Sequence, residues 1–350
     1  MNAVERVKFY TEDVASEIEA QNQKFKTVSP SATNSNDDAG GGGNGGANAV
    51  AISVGDVELG DIEAGKSSPG ESGRRQITVA MKSPPTNWPS GTIEVNNVSM
   101  SYRDGPLVLK GLSFSARKGE KVGLVGRTGS GKSSIMIALF RIEKLTAGEI
   151  SIDGIDCASM PIRTLRSKLC IIPQEAVMFS STVRFNLDPF NEVTDVELWN
   201  VLEQVRMKDV IQALPDRLDE KVHEGGKNFS VGQRQLICIA RAILRKPSIL
   251  MLDEATASID NETDEFIQTM IRDTFKDCTI LTVAHRLHTI IDSDRIVVLD
   301  DGRVIENGTP NELLKRAAIP SGKPINHEDP TSGHGAFKAL WERHQSAHTN

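Results

Sequence analysis

At 350 residues the chain is long enough for one large domain or two small ones, and its formal net charge of −7 argues against broad nucleic-acid binding, which wants a basic face. A hydrophobic content of 38% supports a core if part of the chain stays outside it. The cysteines Cys157, Cys170, Cys238 and Cys278 are scattered without a C-x-x-C pair, and no apolar run approaches the roughly 18 residues of a membrane span, so the sequence reads as a soluble chain from a reducing compartment, without disulfide framework or zinc site.

Residues 1–26 read as a polar helix with a thin apolar stripe of Val4, Val7, Val14 and Ile18, which needs a partner to bury it. Residues 27–91 change character, with Ser, Asn and Asp, the glycine run from Gly40 to Gly46, and Pro84, Pro85 and Pro89. Such a stretch buries too little apolar surface to offset its ordering entropy, and a disordered linker is expected. A compact domain is expected over 92–345, with a Pro/Gly/His-rich loop at about 318–335 and a tail at 346–350. It opens with short alternating strands, Thr92 to Val95 and Val108 to Ala116, joined through turns at Asn96-Asn97 and Asp104-Gly105. Tyr102 between them is either a purine-stacking ring or an amphipathic residue of an edge strand.

Lys121 to Val125 is a short buried strand, followed by Gly126-Arg127-Thr128-Gly129-Ser130-Gly131-Lys132-Ser133 and a helix from Ser134 to Arg141. That order, strand, G-x-x-x-x-G-K-S and helix, is the arrangement that cradles a polyphosphate: glycines admit close approach, several N–H groups converge, and the helix adds its positive end. Lys132 is expected on the terminal phosphates and the Ser133 hydroxyl on Mg²⁺.

Further on, Gly148 to Gly154 reads as a strand into a turn, and Leu169 to Ile172 as a buried strand ending at Pro173-Gln174. A Gln there faces the crevice at the carboxyl ends of parallel strands. The apolar loop from Ala176 to Phe179 suits contact with a partner. Leu198, Val201, Leu202 and Val205 mark a helical stretch within Val193 to Leu214; a second helix opens at Ser230-Val231-Gly232-Gln233 and stops at Pro247. Ser230 is either an ordinary N-cap or part of an anion site. The run Ile249 to Leu252 ends in two adjacent carboxylates, placing Asp253 to hold Mg²⁺ through water and Glu254 to orient and polarise an attacking water. Cys278 to Ala284 is another buried strand, delivering His285 towards the terminal phosphate. Arg295 to Leu299 and Arg303 to Glu306 flank a hairpin turn at Asp301-Gly302, before closing helices at Glu312 to Arg316 and Phe337 to Glu342.

Taken together, the phosphate loop, Gln174, Phe229-Ser230-Val231-Gly232-Gln233, Leu252-Asp253-Glu254, Ser258-Ile259-Asp260 and His285 resemble the nucleotide-binding domain of an ATP-binding cassette transporter. Asn186-Leu187-Asp188-Pro189-Phe190 and Val231 in place of Gly are similar to the second cassette of the C subfamily, the multidrug-resistance-associated type. Met1 to Tyr10 is similar to the segment descending there from the last membrane helix.

The resemblance implies an α/β P-loop NTPase: a mostly parallel core sheet, an antiparallel β subdomain and a helical signature subdomain. It implies ATP and Mg²⁺ as ligands, with Tyr102 on adenine, Gly126, Arg127, Thr128, Gly129, Ser130, Gly131, Lys132, Ser133 and Ser134 around the phosphates, and Gln174 sensing Mg²⁺ and the terminal phosphate. Ser230, Gly232, Gln233 and Asp260 would meet the nucleotide of a second, head-to-tail cassette. Phe229 for the usual Leu, Val231 and the long linker depart from the family pattern. The expected role is an exporter's ATPase on the cytoplasmic face of a membrane, partnered by transmembrane domains, acting on organic anions or xenobiotics and not on nucleic acid. The alternatives are a soluble cassette ATPase uncoupled from transport and a nucleotide-binding regulatory fragment without turnover.

Overall fold

The computed structural model describes residues 84–103, 105–253, 261–284, 287–319, 325 and 333–348. The N-terminal helix expected over 1–26 and the linker up to residue 83 lie outside them. The residues just ahead of Thr92 are packed on the domain. Trp88 is buried and its indole Nε1 donates to the Ile152 carbonyl at 3.1 Å, while Asp153 accepts from Ser90 N at 2.6 Å, Ser90 Oγ at 2.7 Å and Thr92 N at 2.9 Å. Burial alone would raise the Asp153 pKa; donation from the Ser90 hydroxyl and the amides of Thr92, Ser90 and Gly91 holds it below its ordinary value.

Two sheets form the frame. In the first, β1 (Ile93–Ser101) lies between β2 (Leu107–Ala116) and β4 (Ala147–Ile152), all antiparallel, with β5 (Ile155–Asp156) at the edge in the order β2-β1-β4-β5. Ile93 and Val95 and, beyond a register shift, Val98 and Met100 are buried, the period-2 signature of a half-covered sheet interrupted once by an irregularity. In the second, β3 (Lys121–Gly126), β6 (Leu169–Ile172), β7 (Ile249–Asp253), β8 (Thr279–Val283) and β9 (Arg295–Asp300) are parallel, and β10 (Arg303–Gly308) closes the edge antiparallel, in the order β10-β9-β3-β8-β7-β6. All of β7 is buried, as a strand covered on both faces requires.

Helix α1 (Lys132–Leu139) follows β3 and shares a core with the antiparallel sheet through Ile135, Met136 and Leu139. The short α2 (Ile162–Lys168) and α3 (Val183–Leu187) were not legible from periodicity. The stretch Val193 to Leu214 divides into α4 (Asp195–Gln204) and α5 (Lys208–Gln212), because Arg206 adopts a positive φ of 54° that ends the first helix. α6 (Val231–Arg245) packs on α3, α4 and β6, and its Leu236, Ile239 and Ile243 join a second core with Leu198 and Leu202. α7 (Asn261–Thr274) lies against α6.

A third core gathers Val298, Leu313 and Phe337 from β9, α8 (Pro310–Lys315) and α9 (Ala336–His348). The buried Glu306 carboxylate holds this end together, accepting from Gly335 N and Phe337 N at 2.7 Å and from Arg316 Nη1 at 2.9 Å. Each of those charge-assisted bonds contributes about 1.5–3 kcal/mol, which offsets the cost of burying an acid. Among the described residues, no helix is long and apolar enough to cross a membrane.

Candidate functional site

The carboxyl ends of β3, β7 and β6 lie side by side, with β8 between β3 and β7, so the crevice above them collects whatever the following loops carry. β3 runs straight into the glycine loop. A Cβ on Gly126 would fall well inside contact distance of the Leu299 carbonyl and the Ser130 hydroxyl, so only glycine leaves the strand here. Arg127, Thr128 and Gly129 are exposed on top of the loop, whereas Ser130, Lys132 and Ser134 are buried beneath it and Ser133 is half-buried.

Helix α1 begins at Gly131 with no side chain capping it, leaving its first amides for an outside acceptor. The Lys132 ammonium folds back onto the loop, donating to the carbonyls of Gly126 at 2.9 Å and Arg127 at 3.2 Å. Burial lowers its pKa, and the negative charge of Asp253 opposes that shift. Among the described residues, Ser130 Oγ is buried without a hydrogen-bond partner, an expensive state for a hydroxyl. An uncapped helix start, a buried cation and an orphaned hydroxyl around one concave backbone fit a phosphate chain, which would satisfy all three.

Asp253 is the last residue of β7 and is 8% exposed, its strand paired through Val283 of β8 and β8 in turn through Leu124 of β3. Gln174 is exposed two residues beyond β6, on the strand next to β7. The structure thus brings Lys132, Ser133, Asp253 and Gln174 to the ends of one sheet. Ser133 and Asp253 supply a hydroxyl and a carboxylate, oxygen donors of the kind Mg²⁺ takes alongside water and phosphate. Glu254, Asp260 and His285 lie outside the described residues.

Tyr102 also reaches the loop. Its hydroxyl is 2.9 Å from Ser134 Oγ and its ring is half-buried against the antiparallel core, so it braces the start of α1 from the first sheet. Ser230, by contrast, is a true N-cap. Its hydroxyl accepts from Gln233 N at 3.1 Å and Gln233 Oε1 accepts from Ser230 N at 2.9 Å, a complete capping box. Gly232 is half-buried behind it and Val231 is 45% exposed.

Sequence reasoning found the hairpin at Asp301-Gly302 but missed what it touches. Gly302 N donates to the Ser130 carbonyl at 3.1 Å and Gly302 O accepts from Lys110 N at 3.0 Å, with Lys110 Nζ paired to Asp301 at 2.5 Å. At φ +76° a side chain on Gly302 would drive into the Val108 carbonyl. The turn is therefore the floor of the phosphate loop, and no local pattern announces a bond spanning so much sequence.

Residues 109–257 match the ABC transporter family. The chain is 53% identical over 238 residues to the rat ATP-binding cassette sub-family C member 2, covering 67% of this chain and 15% of that protein. It is 55% identical over 236 residues to the human sub-family C member 4, covering 67% and 18%. With the Drosophila melanogaster probable multidrug resistance-associated protein lethal(2)03659 it shares 50% over 263 residues, covering 74% and 19%. The chain thus spans less than a fifth of the length of these relatives. A solved bacterial Atm1-family ABC exporter with ATP bound superposes with a TM-score of 0.65 at 33% identity, covering 75% of this chain and 43% of the other.

Proposed function

The chain carries a cassette that belongs to the ABC transporter family and resembles its C subfamily, and from that premise we propose that it is the ATP-hydrolysing module of a transmembrane exporter of organic anions or xenobiotics. The observation that carries the reading is the phosphate loop, where uncapped α1 amides, the Lys132 ammonium and the orphaned Ser130 hydroxyl converge at the sheet end that also bears Asp253.

In this reading Lys132 leaves the carbonyls of Gly126 and Arg127 for the terminal phosphates, and Ser133, Asp253 and Gln174 hold Mg²⁺, which supplies charge neutralisation when bound. Glu254, next in the chain after Asp253, orients and polarises the attacking water, and His285 steadies the terminal phosphate. Tyr102 lines the purine side while bracing α1. The work is positioning and electrostatics without a covalent intermediate.

Turnover needs a second cassette, facing the other way, whose nucleotide meets Ser230, Gly232, Gln233 and Asp260. Phe179 and Phe185, 39% and 40% exposed with their rings edge to face at 6.1 Å, form an apolar surface suited to the membrane domains on the cytoplasmic side.

The test is MgATP hydrolysis by the purified chain as a function of its concentration, alongside Glu254→Gln. Hydrolysis that rises steeply with concentration, and an exchanged variant that binds MgATP in calorimetry but turns over at least about 100-fold more slowly, are the expected results. Normal turnover in Glu254→Gln would remove that residue from its role, and recovery of the chain from cells with ribosomes or DNA in place of a salt-resistant membrane complex would end the transport reading.

A further inference from the structure

Helix α6 turns one row of side chains, Gln235, Cys238 and Arg241, towards the stretch that follows β6. Gln235 Nε2 donates to the Pro173 carbonyl at 3.3 Å, and Cys238 Sγ and Arg241 Nη1 both reach the Val177 carbonyl, at 3.9 and 2.6 Å. The three-residue spacing makes this a single seam running down one helix face. The Arg241 fork extends it: Nε donates to the Asn186 carbonyl and Nη2 to Asn186 Oδ1 at 2.7 Å, with the Met178 sulfur at 3.6 Å and the Phe179 ring centroid 5.6 Å from the guanidinium carbon. Asn186 closes the circuit, donating from Nδ2 to the carbonyls of Phe179 and Thr182 at 2.9 Å and accepting from Phe179 N at 2.8 Å.

The donors of the Arg241 guanidinium go to two carbonyls, an amide oxygen and two sulfurs, all uncharged partners as thiol and thioether. Burial lowers its pKa, the neighbouring Cys238 opposes the shift, and Arg245 adds to it. An apolar side chain would fill this place without the desolvation cost, so the planar fork is retained for what it holds in position. It holds both ends of the loop between Val177 and Asn186, a few residues past Gln174, onto the helix that starts at Ser230.

We propose that Arg241 is a positioning residue: it laces the 177–186 loop that follows Gln174 to the carboxyl-terminal half of α6, so that this loop and the helix move as one body when Gln174 is displaced. What displaces Gln174 rests on the ATPase reading above; the lacing itself does not.

Hydrogen exchange read by mass spectrometry on the full chain, for wild type, Arg241→Lys, Arg241→Met and Asn186→Ala, decides it. Without nucleotide, all three variants are expected to lose protection over residues 177–186 by about tenfold or more, while β7 and β8 keep theirs. Arg241→Lys fails to rescue because an ammonium cannot bridge Val177 O, Asn186 O and Asn186 Oδ1 together. With MgATP, wild type is expected to change at 177–186 and at 235–245 together, and the variants at 177–186 alone, with nucleotide affinity by calorimetry unchanged. Unaltered protection of 177–186, rescue by lysine, or loss spread equally over β7 and β8 would each overturn the proposal. If wild type takes up no MgATP the ATPase reading fails, and the nucleotide-free comparison still decides the lacing.

Discussion

Helices α1 and α6 both begin where an anion can be held, and they are finished in opposite ways. α1 starts at Gly131 without a side-chain cap, over a loop whose hydroxyl is orphaned and whose lysine is folded onto its own backbone. α6 starts with a closed Ser230–Gln233 box that already satisfies the amides of Ser230 and Gln233. A phosphate arriving at α1 completes a structure; one arriving at α6 competes with a cap. In the proposed reading the first is a primary site, and the second is a surface that contributes only when something else brings the phosphate to it.

The difference is exposed most sharply at Lys132. Replacing it with Ala removes charge-assisted bonds worth about 1.5–3 kcal/mol each, so MgATP affinity measured by calorimetry should fall by at least about 100-fold. The fold should survive, since the side chain's contacts are to its own loop. Retained affinity would mean that α1 is no more a phosphate site than α6. A milder probe acts from below. Gly302→Ala places a methyl against the Val108 carbonyl in a left-handed conformation that costs about 1–2 kcal/mol, and it disturbs the amide bond from Gly302 to Ser130. Affinity for MgATP should drop by about tenfold while residues 230–245, in a different core, keep their hydrogen-exchange protection. Loss of protection there as well would show that the two helix starts share more of the fold than their separate cores imply.

Much of the first site was written locally. Strand, glycine loop and helix are contiguous, and the buried run of β7 ends on Asp253, so spacing alone placed both at one sheet end. The family resemblance supplied roles for Gln174 and Ser230 that their neighbourhoods could not. What stayed illegible is non-local: Gly302 under Ser130, Arg241 across to Asn186, and Trp88 folded onto Ile152 join residues far apart in the chain. Short elements escaped for another reason. α2 and α3 have 7 and 5 residues, too few turns for an apolar period to repeat, and are held by tertiary packing.

The smallest expected effect is the most discriminating for α6. Ser230→Ala opens the capping box and should lower the chain's stability by about 1 kcal/mol, read as a fall of a few degrees or less in melting temperature. With nucleotide held at α1, as proposed, the lone chain's MgATP affinity should stay within about twofold of wild type. Under the proposed head-to-tail pairing, in which each Ser230 would face the other cassette's phosphate, hydrolysis at concentrations where cassettes pair should fall by more than the stability loss explains. If affinity in the dilute chain falls in step with stability, Ser230 belongs to the same binding unit as Lys132 and the division between the two helix starts is wrong. If neither affinity nor paired turnover moves, the serine is a cap and nothing more, the reading that its hydrogen bonds taken alone support.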